Sequence, residues 1–497
     1  MAAVSSVMTS EAPSEPLSKQ NFNIILMMLI STFVVILNET IMNVALPKLM
    51  VDLGVSASTV QWLSTGFLLT MAVVIPITGF LIQRLSTRTV FIAAMTLFSL
   101  GTLTAALAPN FAILLLARIV QASGTAIMMP LLMTTVLALV PPQNRGAMMG
   151  SLSTVISVAP AIGPTISGLI VQSLSWRYMF VFVLPIAIGA LAYGAWKLED
   201  IGETRRSSID LLSVLLSGLG FGGVVYGFGR AGEGTEGFSN PVVAAALAIG
   251  GVSLVLFVWR QFRLQRQDRP LLDLRAFRYP MFSLSVGLIM IVMMALFASA
   301  ILLPMYLQGV RGFSSLQTGL LLLPGGALMG VMAPFVGRLF DRFGPFYLVV
   351  GGSGLLALTL FGFTMLSQTT ATPMILALHL TFSLGLSFLF TPVMTSGLNP
   401  LPSRLYSHGS AIMSTLQQVA GAVGTALLIT IMSIRTEANL ATAGSPELAQ
   451  VNGLHAAFTV GAGIALVAFF LSFFMRRSEP TGAMSEEPEL QAVPTAH

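Results

Sequence analysis

The chain has 497 residues, 55% of them hydrophobic and 9% charged, with a formal net charge of +5, and its mean hydropathy is +0.87. A soluble domain carries about 25% charged residues, so there is too little polar material here to cover soluble surfaces. Soluble enzyme, disordered chain and nucleic-acid binder are excluded together. The absence of cysteine excludes a disulfide framework, a thiolate nucleophile and a Cys-based metal site.

The first 23 residues are polar and read as a tail. They lack the basic, then apolar, then small-residue order of a cleavable signal, so the first apolar run is expected to stay. Fourteen apolar runs then follow, at 24–46, 58–82, 89–107, 111–140, 147–171, 178–196, 210–229, 241–259, 281–308, 316–337, 347–366, 373–398, 409–433 and 456–475. Hydrocarbon admits only helices or closed barrels, because backbone polar groups must be satisfied internally. Barrel strands would be about ten residues long and would alternate in polarity. These runs are longer and apolar all round, which predicts an all-α membrane protein of fourteen transmembrane helices.

Basic residues in short loops mark the cytoplasmic side. With the N-terminus inside, only Lys48, Arg177, Arg230, Arg311 and Arg435 fall outside, and Arg118 falls within a run. The other eighteen of the 24 Lys and Arg lie inside. The basic excess is therefore a topology signal, and it predicts a multi-pass plasma-membrane protein with both termini cytoplasmic. Between runs 8 and 9 the connection 259–279 holds six Arg and two Asp, and it reads as an amphipathic segment against anionic headgroups. Residues 476–497 read as a disordered tail.

The chain also repeats. Residues 79–86 read GFLIQRLS, and residues 337–344 read GRLFDRFG, each in a short inside loop. If these mark equivalent places, runs 1–6 (24–197) and 9–14 (281–475) are two six-helix bundles of like orientation. Runs 7 and 8, within 198–280, are then an inserted hairpin. Parallel repeats of this kind are a transporter architecture, with the substrate site between the halves near the midplane.

Five segments give this pattern a family likeness. Residues 37–47 read LNETIMNVALP, Gln61 and Trp62 open the second run, and Gly79 begins the loop motif. Arg118, Gln121 and Gly124 follow on the fourth run, Gly163, Pro164 and Gly168 on the fifth, and residues 269–278 read RPLLDLRAFR. In this order they resemble the fourteen-helix drug/proton antiporter branch of the major facilitator superfamily. The resemblance implies two six-helix bundles with an inserted helix pair, transport by alternating access and no enzymatic activity. Two departures stand out. The acid of the family's first-helix pattern is Asn38 here, with a carboxylate one residue later at Glu39, about 100° further round a helix. The first loop motif has Gln83 and Ser86 where the family has Asp and Gly, whereas the second copy keeps Asp341 and Gly344.

Three ionisable residues lie well inside the runs: Glu39, Arg118 and His379. A charge in hydrocarbon is expensive, so each is a functional candidate. Glu39 and Arg118 each sit seven positions from the outer end of their apolar run, about 10 Å down, where they could meet. Glu39 reads as the proton site and Arg118 as its electrostatic partner. The other reading is a fixed structural pair. His379 reads as an interfacial histidine before a second proton carrier. Asn38, Asn43, Trp62, Gln121, His379, Gln417 and Gln418 are candidate cavity groups. Pro164 bends its helix and Gly163 permits close packing; the resemblance implies that this segment seals the halves in the outward-closed state, and a kink with no transport role is the other reading. Gly79, Arg84, Arg88, Gly337, Asp341 and Arg342 are expected to gate the inside face, or simply to anchor it.

No P-loop is present, because Lys19, Lys48 and Lys197 follow Ser18, Pro47 and Trp196 rather than glycine. What remains is an ion gradient, with no cofactor and no metal, and the single embedded carboxylate and the family resemblance make the expected ion a proton. One proton entering down 100 mV and one pH unit supplies about 2.3 and about 1.4 kcal/mol. That concentrates a neutral solute several-hundred-fold, since about 1.4 kcal/mol is tenfold. The chain thus reads as a proton-coupled exporter of neutral or monovalent lipophilic compounds, monomeric, with lipids and protons as its other partners. Export of one endogenous metabolite, lipid or siderophore, or symport, stands as the alternative.

Overall fold

The computed structural model describes residues 18–200, 209–233, 237–440 and 445–477. Fourteen long helices fill the described residues: α1 (Lys19–Leu53), α2 (Ala57–Arg84), α3 (Thr87–Leu107), α4 (Phe111–Leu139), α5 (Arg145–Ser173), α6 (Arg177–Lys197), α7 (Leu211–Glu233), α8 (Pro241–Gln265), α9 (Pro280–Met305), α10 (Ser315–Phe343), α11 (Phe346–Phe363), α12 (Thr372–Leu398), α13 (Tyr406–Leu440) and α14 (Pro446–Ser472). Thirteen contain stretches long and apolar enough to cross a membrane. The fourteenth, α5, is 29 residues long and packs between α1 and α10. Each predicted run falls on one of these helices. The tails 1–17 and 478–497 lie outside the described residues.

Several helices outlast their apolar runs. The first run ends at Leu46, but α1 continues to Leu53, where Gly54 caps it in the left-handed region at φ +63°. The added turns interrupt the apolar run with two charges, Lys48 and Asp52, which form an i,i+4 ion pair at 3.1 Å. Glu39 is therefore nearer the middle of its helix than the apolar run suggests, about 20 Å from the far end at about 1.5 Å per residue.

The pairing of helices repeats with a shift of eight. In the first half α1 packs on α5, α4 and α6, α2 on α4, and α3 on α4 and α6. In the second half α9 packs on α13, α12 and α14, α10 on α12, and α11 on α12 and α14. The halves meet along two equivalent seams, α5–α10 and α2–α13. The hairpin α7–α8 covers one of them only: α7 lies against both α2 and α13, and α8 packs on α7. Trp62 of α2 stacks on Tyr226 of α7, with ring centroids 5.9 Å apart and planes 27° from parallel.

The middle of the connection from α8 to α9 is docked into the protein, while Arg263, Arg266, Arg269 and Arg278 stay exposed. Leu271, Leu272, Asp273 and Ala276 are all buried. The cause is Gln261, a fully buried amide on α8. Its Oε1 accepts the backbone N–H groups of Leu271 and Leu272 at 2.8 and 3.3 Å, and its Nε2 donates to Ser213 Oγ at 2.8 Å. Just before α7, Asp210 accepts two bonds of 2.6 Å from the Arg260 guanidinium of α8. That pairing holds the Asp210 carboxyl down at about 2.

Candidate functional site

Arg118 projects from α4 into the interior of the first half and is 1% exposed. A buried guanidinium must find acceptors for its donors. Nη1 donates to Asn38 Oδ1 of α1 at 3.1 Å and to Gln121 Oε1 at 2.7 Å, and Nε donates to the Leu63 carbonyl of α2 at 3.4 Å. The cation also lies 4.0 Å from the centroid of the Phe67 ring, close enough for a favourable cation–π contact. Gln121 in turn donates to Thr102 of α3 at 2.8 Å. One buried network thus ties α1, α2, α3 and α4 together.

Glu39 is half-buried beside this network. Its charge and that of Arg118 act on one another through space, but among the described residues no ion pair or hydrogen bond joins them. The contact partner of Arg118 is Asn38, the position at which the family pattern has its acid. The carboxylate has moved one residue on, off the direct bond. Next to it, Thr40 packs on Gly163 of α5: a Cβ at Gly163 would lie 2.4 Å from Thr40 Oγ1, so only glycine lets α1 and α5 approach here. The side chains of Asn43 and Pro164, within α1 and α5, are outside the described set.

The other predicted cavity groups are dispersed. His379 of α12 bonds the Leu322 carbonyl of α10 through Nε2 at 3.1 Å, and its buried Nδ1 has no partner. Gln417 of α13 is buried, with Nε2 4.0 Å from Met394 Sδ. Gln418 reaches across the halves to Met71 Sδ of α2 at 3.7 Å. Trp62 is 40% exposed and engages the hairpin instead of the interior.

The gating residues separate into two groups. Asp341, near the end of α10, accepts the backbone N–H groups of Gly146 and Ala147 at 2.8 Å each. A carboxylate at a helix N-terminus meets both unpaired donors and the positive end of the dipole. Gly146 and Gly337 face each other there: a Cβ at Gly337 would lie 2.2 Å from the Gly146 carbonyl oxygen. On the other seam Gly79 faces Ser407, His408 and Ala411 of α13, and Gln83 donates to the Arg404 carbonyl at 2.7 Å. Arg84, Arg88 and Arg342 do not cross between the halves. Arg84 and Arg342 are exposed beside Phe80 and Phe343 of their own helices. Arg88 bonds the Ala195 carbonyl of α6, and its backbone N–H donates to Asp200 at 3.3 Å.

One residue in this face was counted in the sequence only as a topology charge. Arg145, 5% exposed, donates to the carbonyls of Leu137 and Val140 and crosses to Asn399 Oδ1 and Tyr406 Oη at 3.2 Å each. A signal was available: a cation at the start of a helix opposes the dipole, so it needs acceptors from elsewhere.

The cross-half hydrogen bonds are one-sided. Thr154 to the Gly330 carbonyl, Thr391 to Ser153 and Thr134 to Ser410 join those already described, and all lie between the middle of the bundle and its arginine-rich ends. Among the described residues none is made in the opposite half. The hydrogen bonds that join the halves thus gather toward the basic face.

Two six-helix repeats that meet on two equivalent seams, with a buried arginine network inside the first, define a membrane carrier. A model of the Major Facilitator Superfamily matches residues 28–425, and the chain belongs to that family. It is 43% identical over 460 residues to a lincomycin resistance protein of Bacillus subtilis (strain 168), covering 91% of this chain and 95% of that one. It is 28% identical to a multidrug resistance protein B homolog of Mycobacterium tuberculosis (strain ATCC 25618 / H37Rv) over 79% of this chain and 73% of that one. Among solved structures, the human organic anion transporter MFSD10 superposes with a TM-score of 0.66 at 16% identity, covering 91% and 99% of the two chains. The proton:xylose symporter XylE superposes at 0.63 and 13% identity, covering 94% and 98%. These two show the shared fold.

Proposed function

We propose that the chain is a proton-coupled exporter of lipophilic small molecules, and that Glu39 carries the proton. The observation behind this reading is the division of labour in the first half. Arg118 donates through Nη1 and Nε to neutral acceptors, so these bonds do not require an ionised Glu39. The Glu39 carboxyl, half-buried and unbonded among the described residues, can change protonation without orphaning the guanidinium. The hydrogen bonds gathered between the halves toward the basic face favour access to this carboxyl from the opposite face.

The export direction follows the printed names of the relatives, which are resistance proteins, and the family likeness at Gly163 and Pro164. With the basic loops cytoplasmic, both termini are inside and the face toward which these bonds gather is the cytoplasmic one. A single mobile carboxyl limits the substrate. One monocation leaving per proton moves no net charge, so only the pH term drives it, and a dication would work against the potential. Neutral and monovalent compounds are therefore the expected cargo, carried by a monomer.

The test is Glu39→Gln in proteoliposomes. Substrate-driven proton uptake is expected to disappear while counterflow exchange, which needs no gradient, continues. Unchanged proton uptake would remove Glu39 from the mechanism. Gradient-driven export of a dication at zero pH difference would refute the limit on cargo.

A further inference from the structure

A cavity of about 800 Å³ opens at the basic end of the first half, between the start of α1, the start of α3 and the end of α6. It is remote from both seams, so the passage between the halves does not use it. Its size lies within the range of about 300–1,000 Å³ typical of small-molecule sites, and it is too wide for a bare inorganic ion.

Its lining has an unusual charge pattern. Arg88 and Lys197 supply two cations, and Glu199 and Asp200 supply two carboxylates. All four are exposed, and among the described residues none of them is ion-paired with another. The Lys197 ammonium rests 4.3 Å from the Trp196 ring centroid. Arg88 commits a guanidinium donor to the Ala195 carbonyl and keeps others of its five. Asp200 accepts only a backbone N–H. Both signs of charge therefore stand available on one wall.

The rest of the site is amphipathic. Ile24 and Met27 of α1 form a buried apolar floor. Tyr193 and Trp196 are 42% and 74% exposed at the rim, the arrangement of aromatic residues at a membrane–water interface. The helix ends that build the cavity place it at headgroup level in the leaflet on the basic side.

We propose that this cavity binds the headgroup of a zwitterionic aminophospholipid, with its phosphate against Arg88 and Lys197, its ammonium against Glu199 and Asp200, and its glycerol region on Ile24 and Met27. A purely anionic headgroup would satisfy the cations and be repelled by both carboxylates. A free phosphate ion would leave the apolar floor and the carboxylates without a partner. A trimethylated ammonium would offer the carboxylates no N–H donor.

The full chain, purified in detergent, is to be titrated with short-chain phosphatidylethanolamine, phosphatidylcholine, phosphatidylglycerol and inorganic phosphate, with bound species counted by native mass spectrometry. Phosphatidylethanolamine is expected to bind at least tenfold tighter than the other three. The double variant Glu199→Gln, Asp200→Asn should erase that preference while retaining phosphatidylglycerol. The double variant Arg88→Gln, Lys197→Gln should weaken all three lipids. Equal affinity of the unsubstituted protein for phosphatidylglycerol, or displacement of lipid by millimolar phosphate, would overturn the proposal without calling on any variant. So would an intact preference in the carboxylate variant eluting as a monodisperse protein.

Discussion

The close approach of α5 and α10 on the basic face gives the sharpest prediction. In this structure a Cβ added at Gly337 would lie 2.2 Å from the Gly146 carbonyl oxygen, 2.8 Å from its carbon and 2.9 Å from the Ala147 Cα. All three are backbone atoms, so no side chain can rotate away. Restoring ordinary contact distances of about 3.5 Å requires the helices to separate by about 1 Å. That movement also stretches the two 2.8 Å bonds from Gly146 and Ala147 to Asp341. Overpacking costs about 1–3 kcal/mol, and each hydrogen bond to a charged group contributes about 1.5–3 kcal/mol. Taking about 3 kcal/mol in all, Gly337→Ala should lower the ratio of closed to open protein on the order of 100-fold. The open state has no such contact to lose. Because the natural chain has no cysteine, spin labels can be placed uniquely at Gln143→Cys and Ser403→Cys, on opposite halves of this face, and their separation read by pulsed electron resonance. The longer separation should dominate in Gly337→Ala. Gly287→Ala, on α9 where an added Cβ meets nothing within 4 Å, should leave the distribution unchanged. If Gly337→Ala folds and gives the same distances as Gly287→Ala, the α5–α10 contact does not define the closed state.

Three further outcomes follow from the same geometry. Arg118→Met removes the donor from Asn38 Oδ1 and Gln121 Oε1 in a buried place, and each unsatisfied acceptor costs about 1–3 kcal/mol; thermal unfolding in detergent should show a large loss, and a melting temperature within a degree of the natural protein would refute the network. Asp210 has its pKa depressed to about 2 by the hydrogen bonds from Arg260, so the stability it contributes is present above its ordinary value near 4 and is lost as pH falls toward about 2. Asp210→Asn should therefore weaken the hairpin by about 1–2 kcal/mol near neutrality, seen as faster hydrogen exchange in α7 and α8, with the difference from the natural protein shrinking below about pH 4 and vanishing only below about pH 2; a difference independent of pH would refute the assignment. Gln83→Asp would place on the α2–α13 seam a carboxylate like that of Asp341, facing the start of α13, and is expected to shorten the separation between the same spin labels and to slow transport; a longer separation would show that the two seams are not locked alike.

The fold was legible because hydrocarbon leaves the backbone so few options. A run of about 20 apolar residues is a helix whatever its neighbours. Helix ends were less legible, since hydropathy marks the membrane and not the helix: α1 extends to Leu53 and α14 begins at Pro446, each through turns where charged or polar residues interrupt the apolar ones. The buried pair Glu39 and Arg118 was readable as charge in the wrong solvent. That Asn38 is the residue bonded to Arg118 was not readable, because one residue of register is about 100° of rotation and the packing of α1 on α4 and α5 sets that rotation. Asp341 was visible through the repeat. Arg145 was not, since a single arginine in a short loop looks the same whether it faces water or crosses to Asn399 and Tyr406. The docking of the connection 259–279 was hidden for a related reason: its arginines dominate the composition, while Gln261 and the leucines that dock it are few.

The two seams are equivalent by the repeat but are not held alike, and the difference bears on why only one is covered. On α5–α10 the lock is a carboxylate on two backbone donors at a helix N-terminus. On α2–α13 the corresponding loop residue is Gln83, whose neutral amide donates one bond to a carbonyl. A neutral bond contributes about 0.5–1.5 kcal/mol, against about 1.5–3 for each charge-assisted one. The weaker seam is the one on which α7 lies, in contact with both α2 and α13 and joined to α2 through the stack of Trp62 on Tyr226. Aromatic stacking of this kind contributes about 0.5–1.5 kcal/mol beyond burial. The hairpin therefore adds contacts from the flank to the seam whose loop residue makes only a neutral bond. Because α7 touches both halves, it must slide on at least one of them when the basic face opens, and its glycines meet α2 through the methyl groups of Leu69 and Val73. A smooth, apolar contact of that kind resists lateral separation while leaving rocking nearly free.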